Sequence, residues 1–354
     1  MHCAIIGKRK MHKESIMGSG LFKYSLPNGA LVESKVVYST DSGCSRNYAI
    51  CIPTYRRNEK LLQTLYSALN QDYKDSYSVI VLDNDPQNNF SCKNIKIPSN
   101  VSFKYIRNSE NIGMVQNWNA LCILSEAEYF TILCDDDILD GSFLKRVERV
   151  IALHPDACYI QFPVANFQTA PELSNKPYTD ICAKIDLFGA IFGGITCNIG
   201  CMLKKEIVVA HQMFKESEYP SQDHLLAKRI VTSNDECYHL LSNRSGAYYR
   251  VCDNVSSQLE TKISFIEIDY PAYVRILRER ADNSLLYAFL IDSLTSRQLD
   301  KIGLSIEEKS AICKRIGLKK KAPLIYLFGI FLLSVLMKLK RCNAKLLGRR
   351  MSGT

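Results

Sequence analysis

No glycine-rich phosphate fingerprint occurs in this chain: no GxGxxG follows an apolar run, and GxxxxGKS/T is missing altogether. Dinucleotide binding of the GxGxxG kind and P-loop chemistry are left without a carrier. The fourteen cysteines include no CxxC pair and the six histidines no metal-spaced pair, so no zinc site is expected. The N-terminus carries Lys8, Arg9, Lys10 and Lys13 but lacks the continuous apolar core a secretory signal needs. The expectation is a cytoplasmic protein with free thiols, most of them small packing residues.

Acidic residues are absent from Ala311 onward, where eleven Lys and Arg residues stand; of the net +9, this leaves −2 for residues 1–310. A near-neutral body argues against a general nucleic-acid surface. The basic tail points to a localised anionic partner such as a membrane. With 47% hydrophobic and 23% charged residues, wholesale disorder is excluded. No internal repeat is present.

Residues 1–45 show no sustained periodicity and are punctuated by Gly18, Gly20, Pro27, Gly29 and Gly43, which predicts an extension with at most a short strand. Beyond them, apolar runs alternate with helical periods. Tyr48–Ile52 reads as a buried strand stopping at Pro53, and Glu59–Leu69 has a helix period. Tyr77–Leu82 and Val101–Ile106 read as strands, a helix follows the Asn111-Ile112-Gly113 turn, and Tyr129–Leu133 is a fourth strand. This alternation predicts a largely parallel sheet covered on both faces, with ligands outside the carboxyl ends of its strands. Three strands end there in polar clusters: Pro53-Thr54-Tyr55-Arg56, Asp83-Asn84-Asp85 and Asp135-Asp136-Asp137.

Three consecutive aspartates repel one another unless solvated or neutralised by a cation. Their oxygens suit Mg²⁺ or Mn²⁺, which shares one or two carboxylates with substrate phosphates. In extended chain Asp135 and Asp137 project to one side; if the chain bends, Asp136 joins them. A solvated acidic turn is the alternative.

Four stretches, AICIPTYRRNEKLLQTLYSALNQ (49–71), VIVLDNDP (79–86), NSENIGMVQNWNA (108–120) and EYFTILCDDDILDGSFL (128–144), resemble in order and spacing the family 2 inverting glycosyltransferases of surface-polysaccharide type. The resemblance implies an α/β GT-A fold, a mostly parallel central sheet flanked by helices. By matching positions it also implies roles. Pro53, Thr54 and Tyr55 lie beside a nucleoside base and Asp83 accepts a hydrogen bond from it. Asn111 and Gly113 belong to the ribose loop, and Asp135 lies near the ribose. Asp137, with Asp136 as a further candidate, approaches the metal and diphosphate. The family often has Asp where Cys134 stands.

An inverting reaction needs a general base. The family's lies well downstream, ahead of an apolar helix; Asp223 in Ser221-Gln222-Asp223-His224-Leu225-Leu226 matches, with helix capping as the competing role. Gly193–Gly200 looks like an acceptor-side segment. Tyr249–Ser256 resembles a late segment with a metal-contacting His, a place that falls here on Cys252 or Asp253; only Asp253 offers an oxygen ligand. Trp118, the only tryptophan, reads as core or as a sugar platform, and Arg56 and Arg57 as phosphate contacts or a solvated pair.

Ala322–Met337 is sixteen residues without a charge between Lys319–Lys321 and Lys338–Arg341. Spanning a bilayer takes about 20 residues, so a membrane-embedded or interfacial segment is expected, in competition with a buried helix. The expected organisation is an extension (1–45), a GT-A domain (46–256), a helical region (257–317) and a membrane-associating tail (318–354). The expected function is transfer from a nucleotide sugar, a UDP-sugar, to a glycan or lipid-linked glycan at the cytoplasmic face of the membrane, with Mn²⁺ or Mg²⁺. A catalytically silent nucleotide- or carbohydrate-binding subunit is the non-enzyme alternative, and a sugar nucleotidyltransferase the second enzymatic one.

Overall fold

The computed structural model describes residues 20–40, 47–171, 177–234, 236–251, 255–279, 284–319 and 322–353. Strands β1 (Leu21–Ser25) and β2 (Leu31–Thr40) form an antiparallel hairpin, and β2 pairs with β5 (Val101–Asn108) at the edge of the parallel strands. Between them come β3 (Tyr48–Thr54), α1 (Asn58–Leu69) and β4 (Tyr77–Asp83); after them come α2 (Met114–Leu124) and β6 (Tyr129–Ile132). Strands β5, β4, β3 and β6 are adjacent and parallel, in the expected order of a doubly covered α/β sheet.

The alternation of β3 shows why both faces are covered. Ala49 and Cys51 enter the apolar cluster under α2, whereas Tyr48, Ile50 and Ile52 enter the one under α1. Successive strand side chains point to opposite faces, so a strand buried on both faces reads as an unbroken apolar run. On α1 the residues Leu61, Leu65, Ala68 and Leu69 fall on one stripe and close that second cluster.

The second half of the sheet is mixed, a correction to the largely parallel expectation. After β7 (Ile138–Leu139) and α3 (Phe143–Leu153) come β8 (Tyr159–Gln161), β9 (Val164–Phe167), β10 (Tyr178–Lys184), α4 (Leu187–Phe192), β11 (Cys201–Lys204), α5 (Lys205–Ala210), α6 (Gln222–Ser233), β12 (Cys237–Ser242) and β13 (Ala247–Arg250). Strand β11 runs antiparallel to both β6 and β8, and β10 antiparallel to β12. The described strands form a mixed eleven-stranded sheet, and β7, β13 and β9 a small second one beside the aspartate run. Arg146 on α3 is fully buried and forms two bonds to Asp180 of β10, Nε–Oδ2 at 2.9 Å and Nη2–Oδ1 at 2.8 Å.

Helices α7 (Leu259–Glu279), α8 (Ser284–Lys301) and α9 (Ile306–Ile316) pack around a third cluster that includes Ile191 of α4, which ties them to the sheet. Helix α9 opens with a full capping box, Ser305 with Glu308, and stops at left-handed Gly317. Helix α10 (Pro323–Leu347) lies on α8, where Gly329 meets Ser293 so closely that a Cβ would stand 2.1 Å from the hydroxyl oxygen. It leads into β14 (Arg349–Gly353), which pairs antiparallel with β10 at the far edge of the sheet.

Candidate active site

At the carboxyl ends of β3, β4 and β6 lies a cleft of about 630 Å³. Its sheet-side wall holds Pro53, Thr54, Tyr55, Asn111, Gly113 and all three of Asp135, Asp136 and Asp137. The chain does not stay extended through the aspartates. Strand β6 ends at Ile132, and a turn closed by Asp137 N–H donating to Cys134 O (3.1 Å) turns the three carboxylates into one cleft.

Each carboxylate is held differently. Asp135 Oδ2 accepts from Thr54 Oγ1 at 2.8 Å and from the Tyr55 N–H at 3.4 Å. Arg57 Nη1 bridges Asp135 Oδ1 (3.4 Å) and Asp136 Oδ2 (2.7 Å). Asp137 Oδ1 accepts the Arg250 backbone N–H at 2.9 Å, and its carbonyl accepts from Thr64 Oγ1 at 2.7 Å. The Arg250 guanidinium is turned to Asp136 O and Gln63 Oε1 instead. Burial is the first cause raising both carboxyls, Asp135 to about 6 and Asp137 to about 8, with neighbouring aspartates adding to the rise.

A divalent cation fits this set in one particular way. No group of three His, Cys, Asp or Glu among the described residues can enclose a metal. Asp137 nevertheless presents a carboxyl oxygen without a protein donor among the described residues, in surroundings that penalise its charge. Hard oxygen ligands, one or two in number, match an ion that takes its remaining ligands from water and a diphosphate. Cys134 also lines the cleft, but burial pushes its thiol well up, so it offers no thiolate. Asp253 and Cys252 lie outside the described residues.

Asp83 stands behind this wall. It is fully buried, and its carboxylate accepts from Tyr105 Oη (2.5 Å), Asn88 Nδ2 (2.7 Å) and the Asp85 N–H (3.0 Å). Burial raises its pKa. Its neighbour Asn84, not singled out in the sequence, lines the cleft in its place. Asn84 Nδ2 donates to Asn111 Oδ1 (2.7 Å), and its Oδ1 receives the Ile112 N–H and Asn108 Nδ2, each at 3.0 Å. Asn108 is in turn bonded by Tyr24 and Ser34 of the β1–β2 hairpin. Gly113, with φ +79°, lets this loop turn into α2; the space around it is open, so its backbone angle is what favours glycine.

The opposite wall comes from α6, α7 and the segment before β11. Asp223 occupies the first turn of α6, where a negative charge is favoured, and Ser221 rather than Asp223 is the N-cap residue. Thr196 Oγ1 donates to Asp223 Oδ2 at 2.5 Å, and His224 Nε2 lies 3.8 Å from the same oxygen. No described residue donates to Oδ1. Gly194, Thr196, Asn198 and Ile199 of the expected acceptor-side segment line the cleft, as do Tyr219 and Phe265, for which no sequence signal existed. Trp118 is 4% exposed, packed edge-on against Phe214, and also lines the cleft.

Residues 49–207 match the model of glycosyl transferase family 2. That segment is a little under half of the chain, and over it the chain is similar to the family 2 glycosyltransferases. One relative is the poly(ribitol-phosphate) β-N-acetylglucosaminyltransferase TarP of Staphylococcus aureus (strain N315), 33% identical over 98 residues, 27% of this chain and 29% of that protein. Similar solved structures are S. aureus TarS 1–349 (15% identical, TM-score 0.57, covering 77% of this chain and 79% of that one) and its complex with UDP-GlcNAc (16%, 0.56, 77% and 80%). At these identities the likeness shows the fold, GT-A. The chain spans 29% of the length of TarP and 46% of the longer TarS chain.

Proposed function

We propose that the chain is an inverting glycosyltransferase that moves a sugar from a UDP-sugar to a glycan or lipid-linked glycan acceptor. The observation that carries this reading is the meeting of Asp135–Asp137 and Asp223 in one cleft, on different walls. TarS binds UDP-GlcNAc and TarP is named for transfer of N-acetylglucosamine to poly(ribitol phosphate), so UDP-GlcNAc and a polyol-phosphate chain are the first donor and acceptor to offer. In this reading the nucleoside rests on Pro53, Thr54 and Tyr55 with the Asn84–Asn111–Gly113 loop beside it. The assignment of Asp83 to the base requires its present bonds to open, so we place it as the support that fixes the end of β4.

Asp223 is the general base. The Thr196 hydroxyl holds Oδ2, leaving Oδ1 to take the proton of the attacking acceptor hydroxyl. Thr54, Tyr55 and Arg57 keep Asp135 and Asp136 in place, and Arg250 orients Asp137. A divalent cation held by Asp137, with Asp136 or Asp253, would neutralise charge building on the leaving diphosphate.

Helix α10 supplies the membrane contact. Leu324, Leu327, Phe328 and Phe331 are each at least 60% exposed, and Lys338, Lys340, Arg341 and Lys345 follow on the same helix. Among the described residues it is the one helix long and apolar enough to cross a bilayer. Its uncharged part, Pro323–Met337, extends only about 22 Å at 1.5 Å per residue, against a hydrocarbon core of about 30 Å. That shortfall and the basic residues after it support interfacial seating on an anionic cytoplasmic leaflet over a full span.

Melting of the purified chain with UDP, GDP or CMP and their sugars, each with and without Mn²⁺, tests the donor site. A UDP-specific rise that grows with metal is expected, followed by transfer that Asp223→Asn reduces at least a hundredfold with the UDP-induced shift intact. Absence of any shift removes the donor site. A shift with no transfer to any acceptor leaves a silent binding subunit.

A further inference from the structure

The Thr196 hydroxyl has two acceptors within reach. Its Oγ1 lies 2.5 Å from Asp223 Oδ2 and 2.7 Å from Asn198 Oδ1. A hydroxyl has a single hydrogen to donate, so only one of the two holds the strong bond at any moment. While Asp223 is charged, its carboxylate is the stronger acceptor. Asn198 then stands by as the second, a role the reaction above does not use.

The frame around this hydroxyl is fixed. Thr196 O accepts from Tyr159 Oη at 2.7 Å, and the Thr196 N–H donates to Tyr159 Oη (3.1 Å) and Gln161 Oε1 (3.3 Å), both on β8. Tyr159 is fully buried. The Cys197 N–H donates to the Asp223 backbone carbonyl at 3.2 Å, and the Cys201 N–H and thiol donate to Asn198 O at 3.3 and 2.9 Å. The backbone carrying Thr196 and Asn198 is thus tied to the sheet and to the start of α6. What can still turn is the hydroxyl hydrogen, and because Thr196 and Asp223 are both buried, water competes little for it.

We infer that Asn198 is a positioning residue for Asp223, acting through Thr196: it is the acceptor to which the Thr196 hydroxyl turns once the base holds a proton. The inference rests on Asp223 acting as the base. In the transfer step the acceptor oxygen bonds the anomeric carbon, the sugar–phosphate bond breaks with its electron pair leaving on UDP, and the acceptor's proton passes to Asp223 Oδ1. Oδ2 of the neutral acid attracts the hydroxyl less, and the Asn198 carbonyl takes over. A donor on the carboxylate favours the ionised base, and a second acceptor for that donor favours the protonated one. Other titratable groups facing Asp223 are His224 and Lys228 of α6, the thiols of Cys134, Cys197 and Cys201, and the Tyr273 phenol of α7, whose neighbour Asp269 faces His224 and Lys228. Burial keeps the thiols and the phenol neutral.

The test is the pH profile of kcat/KM for the acceptor at saturating UDP-sugar. Wild type is compared with Thr196→Val, Thr196→Ser, Asn198→Leu and the double variant Thr196→Val with Asn198→Leu, each first shown to fold by its UDP-induced melting shift. Thr196→Val moves the acidic limb up by about one pH unit, the scale of one hydrogen bond to a carboxylate, and Thr196→Ser returns it. Asn198→Leu leaves the hydroxyl to Asp223 alone and moves the limb down by about half a unit. The double variant matches Thr196→Val, because Asn198 has nothing to act through without the hydroxyl. If Asn198→Leu does not fold, Asn198→Ala carries the same expectation. An Asn198 variant that raises the limb, leaves it unmoved, or shifts it further in the Thr196→Val background overturns the inference. So does a KM raised equally at every pH, the mark of a direct acceptor contact. Undiminished transfer by Asp223→Asn overturns the base assignment instead.

Discussion

At Asp137 a carboxylate sits 1% exposed beside two others, held by the backbone N–H of Arg250, whose guanidinium acts on it while bonding Asp136 O and Gln63 Oε1. Its pKa, raised to about 8 by burial, lies above the value of about 3.9 expected when unfolded. A raised acid favours the folded state below its unfolded pKa, and that contribution is lost as pH rises through the folded value. Metal-free protein therefore loses stability from this group between about pH 4 and pH 8. Asp137→Asn, which keeps the acceptor oxygen for Arg250, should melt above wild type at pH 8 and lose that advantage toward pH 5. Calorimetry without metal checks it, and Mn²⁺ with UDP should raise wild type but not the variant. Asp137→Ala should abolish transfer and leave the fold intact.

The same scale shows where sequence reading stops. The aspartate run was visible because it directly follows a buried strand. Asp83 looked equivalent, at the end of another such strand, but its occupants Tyr105 and Asn88 come from β5 and the loop after β4. No local pattern announces that a carboxylate will be filled from elsewhere. Arg250 and Thr196 reach Asp137 and Asp223 across long separations, and such pairings leave only a polar residue in an unremarked segment as their trace.

Among elements, the strands buried on both faces were the easiest to read: β3 and β4 are seven-residue runs with every position buried. Strands β8 and β11, of three and four residues, are too short for a period to show. The β1–β2 hairpin looked like a loose extension because β2 alternates buried and open positions among polar residues, as an antiparallel strand with one solvated face does. The buried Arg146–Asp180 bond was equally silent, and it joins α3 to the strand that carries β14. Asp180→Ala leaves a fully buried guanidinium without its counter-charge and should cost about 3–5 kcal/mol, measurable by urea unfolding. On α10, Leu327→Glu with Phe331→Glu should move the protein from the membrane to the soluble fraction of a lysate and bring vesicle binding close to background. Full recovery with membranes would reject the interfacial helix. These point changes are the cleaner probe, because deleting residues 318–354 also strips β14 from the sheet.

For the whole molecule, the fold class was legible, while the contacts that bind its parts together were not. From the C-terminal helical region Thr261 and Phe265 of α7 line the cleft, and Ile191 of α4 belongs to the cluster of α7–α9. The N-terminal hairpin supports Asn84 from the other side. A chain joined in this way should unfold as one unit, with coincident transitions by tryptophan fluorescence, which reports Trp118 beside the cleft, and by far-ultraviolet dichroism, which is dominated by the helices. Two separated transitions would show α7–α9 to be independent.

Helix α10 is anchored at both ends, against α8 through Gly329 and into the sheet through β14. A flexible tether lets an enzyme roam a hemisphere above its lipid and sample acceptors at any height. A splinted outrigger does not. With its apolar side seated on a membrane as proposed, tilt and elevation of the cleft would be set by the body itself, and the height at which an acceptor must be presented would become a matter of architecture.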